Sequence, residues 1–313
     1  MRSWLLRLGK LAVTSGFLWY ALSKVDVENL LSRMAGVTAL PVLAAILCWV
    51  LMQAIGGLRW ALLAHPLRLD PGWSPYIRFS FIGNFFNAFL PTFVGGDLVR
   101  GYYLTKHSGH ISFPSVSTLM DRNAGVGGLI LLGGAAALVA DIGPDKPLLL
   151  AVVGALLLGY LLANLVLLTP SLLKRFQHAL FRVVGAKAQA RLENTFLGIS
   201  MFRDHLPTFL GAVLLSVFIH LISISAIYFL GIALDLPLGF LVYLLAVPLV
   251  ALITMVPVSI GGLGVRETSF IAILGQYGVD PELSVTLGLT WYLLIVVGGV
   301  PGLILYLLER TRR

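Results

Sequence analysis

The sequence is short of charged residues and of cysteine. Only 12% of its 313 residues are charged, while 58% are hydrophobic; soluble domains carry about 25% charged residues. Basic residues outnumber acidic ones by 22 to 14, which leaves a net charge of +8. The single cysteine, Cys48, lies in an apolar segment, so an intrachain disulfide and a cysteine-ligated metal are both excluded. This composition is typical of a polytopic membrane protein, and we expect no nucleic-acid partner.

Hydrophobic runs of about 20 residues, the length that crosses a bilayer, recur along the chain. Six segments are long enough to span, and we expect an all-α polytopic membrane fold. The first segment has no small-residue cleavage site after its apolar part, so we interpret it as a retained span rather than a signal peptide. The six predicted spans are approximately residues 4–23, 37–57, 117–140, 147–169, 207–231 and 283–308.

Two further apolar regions are interrupted near their middle by the same motif. The first copy reads PTFVGGDLVR (91–100) and the second PVSIGGLGVR (257–266), with proline, paired glycines and arginine at identical spacing. The segments after the glycines, about 97–105 and 265–277, are too short to cross a bilayer at 1.5 Å per residue. A helix, a broken tip and a short return helix predict two re-entrant hairpins.

The distribution of basic residues predicts the orientation in the membrane. Six spans and two hairpins place both termini on the same side of the membrane. In this topology fourteen basic residues lie on that side and three lie on the opposite side. Cytoplasmic loops carry the excess of Lys and Arg, so we expect cytoplasmic termini in a prokaryotic inner membrane. The fourteen are Arg2, Arg7, Lys10, Arg68, Lys106, Lys174, Arg175, Arg182, Lys187, Arg191, Arg203, Arg310, Arg312 and Arg313, against Lys24, Arg33 and Lys146.

The same assignment opens the first hairpin to the cytoplasm and the second to the outside. Each half then reads span, span, hairpin, span, with the second half upside down relative to the first. We therefore predict two inverted repeats, residues 1–141 and 142–313, an architecture common in transporters. The loop at about 170–206 alternates basic and apolar residues at helical spacing, which predicts a basic amphipathic segment on the inner membrane surface.

The chemistry of the two motif copies favours an anion site. The paired glycines, Gly95–Gly96 and Gly261–Gly262, let the backbone turn tightly. After each turn a short helix begins, and its free N–H groups and positive dipole face the turn. Arg100 and Arg266 follow about one helical turn later, and guanidinium groups bind phosphate with two parallel hydrogen bonds. We predict that both tips meet near the midplane and hold the phosphate of a lipid headgroup.

Other ionisable and polar residues near the tips complete the predicted site. Charges inside a bilayer are costly and are usually functional or paired with one another. We expect the acidic residues to tune or couple binding, or simply to neutralise neighbouring arginines, and we expect neither a metal nor a cofactor. The additional predicted lipid-binding residues are Asp97, Glu267, Arg59, Arg122, Asn84 and Asn87.

Four segments resemble a known family. LRWALL (58–63), NAFLPTFVGGDLVRGYYL (87–104), STLMDRNAGVGGLILL (117–132) and VPVSIGGLGVRETSF (256–270) are similar to the flippase-like transmembrane region of lysylphosphatidylglycerol synthases. The resemblance implies an inner-membrane protein that moves lipids between leaflets and works with a separate lipid-modifying enzyme. We expect a stand-alone member without the aminoacyl-transferase domain, so that lysyl-lipid synthesis does not carry over.

The leading hypothesis is therefore a lipid flippase or scramblase and not an enzyme. Its substrate would be a phospholipid, an aminoacylated phospholipid or a polyprenyl-phosphate-linked lipid. The sequence contains no Walker motif, so ATP does not drive it directly. Two alternatives stay open: an intramembrane enzyme that acts on a lipid headgroup, and a secondary carrier for an ion or small solute.

Overall fold

Helices form all the regular secondary structure in the described part of the chain. The computed structural model describes residues 15–20, 23, 36, 38–89, 95–108, 112–140, 146–183, 186–256 and 258–311. Residues 15–20 are helical. The helices that follow are α1 (Ala39–Ala64), α2 (Trp73–Phe89), α3 (Gly95–Ser108), α4 (Ser112–Val139), α5 (Lys146–Leu168), α6 (Pro170–Phe181), α7 (Ala186–Met201), α8 (Leu206–Ala233), α9 (Phe240–Met255), α10 (Val265–Leu274) and α11 (Pro281–Thr311), with short 3-10 turns at His65–Leu67 and Gly275–Tyr277.

Within the part of the chain that the structure describes, five helical segments are long and apolar enough to cross a membrane. Within hydrocarbon a helix pairs its backbone polar groups internally, which is why long apolar runs adopt this structure. The five lie close to five of the six predicted spans, and they confirm an all-α multi-pass membrane protein. The remaining prediction, 4–23, falls largely outside the described residues. The spans are Ala39–Leu67, Ser112–Val139, Lys146–Leu168, Leu206–Ala233 and Pro281–Glu309.

The two motif regions form pairs of shorter helices. In the first region α2 has 17 residues and α3 has 14, and residues 90–94 between them lie outside the described part. In the second region α9 has 16 residues and α10 has 10. Their connection contains Gly261, Gly262 and Gly264 with φ of 61°, 76° and 78°. Only glycine adopts this region readily, so the second tip depends on its glycines.

Helix packing joins the two halves of the chain. The most extensive interface is between α1 and α8, and α2 packs against both α3 and α11. The approach of α3 to α2 is so close that a Cβ atom at Gly96 would overlap the carbonyl oxygen of Gly83. Helix α4 packs against α8, α9 and α5. The first motif region, formed by α2 and α3, thus packs against α1, α4 and α11.

Two large parts of the apolar core lie toward opposite ends of the bundle, and a smaller third cluster includes Ala137 and Val153. Helix α1 contributes Trp60 to the first part and Trp49 to the second. Helix α8 contributes Val213 to the first part and Ile224 to the second. Between these positions, Gln53 and Arg59 of α1 and His220 and Ser223 of α8 line the polar cavity described below. The cavity therefore lies where the two apolar parts meet.

The predicted amphipathic segment consists of two helices, α6 and α7. In α6, Leu173 is buried while Lys174 and Arg175 are exposed. Helix α6 packs against α5, and α7 packs against α4. Phe196 and Phe202 join the first part of the core. This segment is therefore attached to the bundle through an apolar face and presents basic residues on the other face.

Candidate functional site

Five charged side chains from α1, α3 and α4 form a continuous ion-pair chain. Asp121 accepts hydrogen bonds from Nε of Arg59 and Nη2 of Arg100, each at 2.8 Å. The same Nη2 of Arg100 lies 3.0 Å from Oδ1 of Asp97. Asp97 in turn accepts from Arg122, whose Nε lies 2.9 Å from Oδ2. The order Arg59–Asp121–Arg100–Asp97–Arg122 is called the ion-pair chain below.

Most of the ion-pair chain is inaccessible to solvent. The side chain of Asp121 is 2% exposed and those of Arg59 and Arg100 are 11% exposed, whereas Arg122 is 37% exposed. Charges at this depth are costly unless they are paired and hydrogen-bonded. Each carboxylate meets this requirement by contacting two guanidinium groups. Arg122 marks the open end of the chain.

Arg100 is held in place by more than its ion pairs. Its guanidinium lies over the indole ring of Trp60, 4.8 Å from the ring centroid. The indole N–H of Trp60 donates to Ser117 Oγ at 3.1 Å, which fixes the ring against α4. Stacking on a tryptophan face is a favourable position for a guanidinium. Arg100, the arginine of the first motif, is therefore rigidly oriented.

The predicted amide residues connect the first tip to its neighbours. Asn87 Oδ1 accepts a hydrogen bond of 2.8 Å from the backbone N–H of Gly96, at the start of α3. Asn84 Nδ2 donates to the carbonyl of Gly298 in α11 at 3.4 Å. Gly95 and Gly96 are both buried. These contacts position the start of α3, and with it Asp97 and Arg100.

A cavity of about 290 Å³ lies against the ion-pair chain. Six of the predicted site residues line it, namely Arg59, Asn84, Asn87, Asp97, Arg100 and Arg122. Several other lining residues, from α1, α2, α4 and α8, are not among the predicted site residues. The polar ones are Gln53, Ser80, Asp121, His220 and Ser223.

An apolar groove of about 620 Å³ adjoins this cavity between α3 and α4. Leu98, Tyr102 and Leu119 line the groove and are 70%, 56% and 47% exposed. Asp97 and Arg122 border both the groove and the polar cavity. On a membrane-spanning protein such exposed apolar side chains face lipid. The Asp97–Arg122 end of the ion-pair chain thus lies at the boundary between a polar cavity and a lipid-facing groove.

The second motif copy has a different environment. Arg266 is 2% exposed, and its Nη2 donates to the carbonyl of Gly261 at 3.1 Å. Its guanidinium lies 5.0 Å from the ring centroid of Trp291 and 5.8 Å from that of Tyr292. Within the described part of the chain, Nε and Nη1 of Arg266 have no hydrogen-bond partner. Arg266 is therefore a buried guanidinium with two donors unused.

Glu267 acts locally at the start of α10. Its Oε2 accepts a hydrogen bond of 2.6 Å from the backbone N–H of Gly264 and so caps the helix. Gly261 and Gly262 form the turn in front of it. The residues that line the 290 Å³ cavity include neither Glu267 nor Arg266. The two motif arginines thus lie in separate environments, rather than in the single cavity that the sequence predicts.

One contact nevertheless links the second motif to helix α2 of the first motif region. The hydroxyl of Tyr292, beside Arg266, donates to the carbonyl of Ala88 at 3.0 Å. Ala88 lies in the last turn of α2, immediately before the first tip. The environment of Arg266 is thereby attached to α2 through Tyr292 of α11.

Asp121 is the important site residue without an assigned role in the sequence analysis. The sequence does single out Asp121, because an acidic residue inside an apolar span usually has a function or a partner. What the sequence could not show is that Arg59, which lies 62 positions earlier, and Arg100 converge on it. His220 is likewise an ionisable residue inside an apolar span; its Nε2 donates to the carbonyl of Gly125 at 2.9 Å on the cavity wall.

Comparison with known proteins identifies the family of this chain. The family described as "Lysylphosphatidylglycerol synthase TM region" matches residues 7–302. A comparison with curated proteins finds no match. The matched range includes both motif copies, the whole ion-pair chain and the two cavities. The chain therefore belongs to the family of the transmembrane region of lysylphosphatidylglycerol synthases.

Proposed function

We propose that the protein translocates a phosphate-bearing lipid between the two leaflets of the membrane. The observation that carries this proposal is the shared boundary between an arginine-lined polar cavity and a lipid-facing apolar groove. A lipid has a polar head and an apolar chain, and the two spaces match these two parts. Asp97 and Arg122 lie where the head joins the chain.

The arginines provide the anion-binding chemistry. Guanidinium groups bind phosphate oxygens through two parallel N–H donors. Arg100 is oriented by Trp60 and has a buried Nε without a hydrogen-bond partner among the described residues. Arg122, at the open end of the ion-pair chain, is the first of the three arginines that a head arriving from the groove would meet. The lipid phosphate then replaces the carboxylates of Asp97 and Asp121 as the partner of these arginines.

The geometry of the carboxylates favours transport over headgroup chemistry. A general base or nucleophile needs an accessible carboxylate with a matched pKa. Asp97 and Asp121 each contact two guanidinium groups instead. A carrier of a soluble ion would have no use for an apolar groove of about 620 Å³. Both alternatives therefore explain less of the site than lipid translocation does.

The pattern of helix contacts supports two structural repeats, which we propose are inverted relative to each other. If α1 is exchanged with α8, α2 with α9, α3 with α10 and α4 with α11, the packing of α2 on α11 becomes that of α9 on α4. Likewise α1–α4 becomes α8–α11, α1–α2 becomes α8–α9, and α3–α4 becomes α10–α11; all of these contacts occur. The α1–α8 interface maps onto itself. Such pseudo-two-fold packing is the framework of alternating-access transporters.

Within this framework Arg266 is the counterpart of Arg100. In the arrangement described here Arg100 faces an open cavity, while Arg266 is enclosed by Trp291 and Tyr292 with two donors unused. An unused buried donor costs free energy, and a ligand that pairs with it recovers that cost. We infer that Arg266 holds the phosphate in the opposite-facing arrangement.

The distribution of basic residues supports an inner-membrane location with cytoplasmic termini. Arg68 follows Leu67, and Arg203 follows Phe202; both apolar residues belong to the same part of the core. Tyr306 of α11 packs against that part as well. These basic residues therefore lie toward one end of the bundle, which is the end of the cytoplasm by the positive-inside rule.

A reconstitution experiment tests the proposal. Purified protein in phosphatidylcholine liposomes that contain labelled phosphatidylglycerol or polyprenyl phosphate is expected to expose inner-leaflet label to an external quencher. Arg100→Ala should lower the rate by roughly tenfold or more, because the oriented donor is lost. Arg78→Gln is the matched control, since Arg78 pairs with Glu309 and does not line the cavity.

Two results would contradict lipid translocation. One is a failure of the wild-type protein to move any of these lipids while it carries a soluble ion. The other is an equal rate for Arg100→Ala and Arg78→Gln, both inserted at the same level, because the cavity would then have no part in the movement.

A further inference from the structure

The interface between α10 and α11 contains several buried polar atoms that have no hydrogen-bond partner among the described residues. They are Nε and Nη1 of Arg266, Oε1 of Glu267, Oγ of Ser284 and Nε1 of Trp291. Arg266, Glu267 and Ser284 are at most 2% exposed. A buried polar group without a partner costs free energy, so a group of them in one interface needs a physical explanation. None of these residues lines the polar cavity or the apolar groove.

Glu267 differs from the buried carboxylates of the ion-pair chain. Asp97 and Asp121 each contact two guanidinium groups, which stabilise their ionised form. Glu267 is 0% exposed, and the described residues provide no ion pair for it. Its Oε2 accepts a hydrogen bond from the N–H of Gly264, whereas Oε1 accepts none from the described residues. The negative charge of Glu267 is therefore stabilised less than the charges of Asp97 and Asp121.

The oxygen without a partner lies against α11. A Cβ atom at Gly288 would be 3.1 Å from Oε1 of Glu267, so the carboxyl group approaches the backbone of this helix closely. Ser284 lies one turn before Gly288 on the same face of α11, and its hydroxyl has no partner among the described residues either. A hydroxyl group both donates and accepts hydrogen bonds. The face of α11 that Glu267 contacts therefore suits a carboxyl group in either protonation state.

Opposing effects act on the charge of Glu267. Burial and the unpaired oxygen favour the neutral, protonated form. The adjacent Arg266 and the positive end of α10, which begins at Val265, favour the ionised form. Because these effects oppose each other, a change of charge beside Glu267 changes its protonation.

Arg266 is the basic group in this neighbourhood. Among the described residues of α9, of α10, of the 3-10 turn Gly275–Tyr277 and of α11 up to Tyr292, it is the only Lys or Arg. Residues 15–20, which approach Gly264, contain no Lys or Arg either. The other ionisable side chains on these elements are Tyr20, Tyr243, Tyr277, Glu282 and Tyr292.

Protonation of Glu267 changes the charge balance around Arg266. The two side chains are adjacent in α10 and have no net charge together while Glu267 is ionised. When Glu267 is protonated, the charge of Arg266 loses its nearest compensation, and an uncompensated buried charge is costly. A phosphate beside Arg266 supplies a negative charge and accepts hydrogen bonds from the unused Nε and Nη1. The proton and the phosphate therefore strengthen each other's binding, because linkage is reciprocal.

We propose that Glu267 takes up a proton when a lipid phosphate binds at Arg266, so that the protein binds its anionic lipid together with a proton. This inference rests on the proposed function for the role of Arg266, and it adds the coupling ion. The proton comes from the solution when the environment of Arg266 opens, and it returns to solution when the phosphate leaves and Glu267 is ionised again. Release of both on the other side of the membrane lets a proton gradient drive lipid movement without ATP.

Calorimetric titration of the purified full chain measures the proton uptake. The probe is a short-chain phosphatidylglycerol, because its phosphodiester does not titrate at neutral pH, unlike a phosphate monoester with a second pKa of about 6. Titrations in buffers with different ionisation enthalpies give the number of protons taken up per lipid. We expect an uptake that approaches one proton per lipid bound at Arg266. The affinity should then fall by up to about tenfold for each unit rise in pH.

Two variants and a control assign this proton. Glu267→Gln removes the titrating group and keeps the helix cap, because glutamine also accepts a backbone hydrogen bond at this position. It should abolish the uptake and bind the lipid at high pH as tightly as the wild type does at low pH. Arg266→Met should also abolish the uptake, because the phosphate is no longer held there. Glu309→Gln is the matched control, since Glu309 pairs with Arg78 and should leave the uptake unchanged.

The outcomes separate this inference from the proposed function. No proton uptake in the wild type, the same uptake in Glu267→Gln, or an uptake that persists in Arg266→Met would overturn the inference. Proton-linked binding without lipid movement in liposomes would uphold the inference and reject translocation. Lipid movement without proton uptake on binding would uphold translocation and reject the inference.

Discussion

The two motif arginines, Arg100 and Arg266, occupy the same position of the motif, but their charges are stabilised differently. Arg100 satisfies its charge through Asp97 and Asp121 and faces a cavity. Arg266 is almost fully buried, and the described residues provide no ion pair for it and only a backbone carbonyl as acceptor. A buried guanidinium with unused donors adds little to stability. The burial of this guanidinium is therefore better explained by a ligand than by packing.

This difference predicts opposite effects of methionine at the two positions. Arg266→Met replaces a buried charge by an apolar side chain of similar length, so the stability should stay within about 1 kcal/mol or rise. Arg100→Met leaves two carboxylates with fewer partners and should cost about 3–5 kcal/mol. Thermal unfolding in detergent measures both effects. Lipid movement in liposomes should be lost in both variants; an unstable Arg266→Met, or one that transports normally, contradicts a ligand-binding role.

At the scale of elements, the start of α3 depends on a close contact with α2. A Cβ at Gly96 would overlap the carbonyl oxygen of Gly83 and lie 2.6 Å from the side-chain amide of Asn87. The same contact carries the hydrogen bond from Gly96 to Asn87. Because Arg100 lies one turn further along α3, any displacement of this start moves Arg100 relative to Asp121.

Gly96→Ala should therefore reduce both stability and transport. Overpacking at such a contact costs about 1–3 kcal/mol, and the shift of α3 weakens the pairing of Arg100. The unfolding midpoint and the rate of lipid movement measure the two effects. Gly154→Ala is the matched control, because a Cβ at this α5 position meets nothing within 4 Å. Equal behaviour of the two variants would show that α3 tolerates displacement.

The positions of the helices follow from the sequence more closely than the site does. The predicted spans 147–169 and 207–231 correspond to Lys146–Leu168 and Leu206–Ala233, because hydrophobic length is a local signal. Arg100, which the motif predicts as a lipid-binding residue, lines the polar cavity, and its binding of a lipid stays a prediction. The convergence of Arg59 and Arg100 on Asp121 depends on the packing of α1 and α3 against α4, and no local pattern in the sequence encodes it.

At the scale of the whole molecule, the proposed inverted repeats require equivalent loops on opposite sides of the membrane. Asp70 precedes α2 and Pro237 precedes α9, and both residues are exposed. In a Cys48→Ala background, Pro237→Cys should react in intact cells with a thiol reagent that does not cross the membrane. Asp70→Cys should react only after permeabilisation, as should Arg203→Cys, whose position lies on the predicted cytoplasmic side. A parallel repeat would place both loops on the same side of the membrane. Labelling of Asp70→Cys and Pro237→Cys from the same side would therefore exclude the inverted arrangement. It would also exclude the alternating exposure of Arg100 and Arg266, which depends on that arrangement.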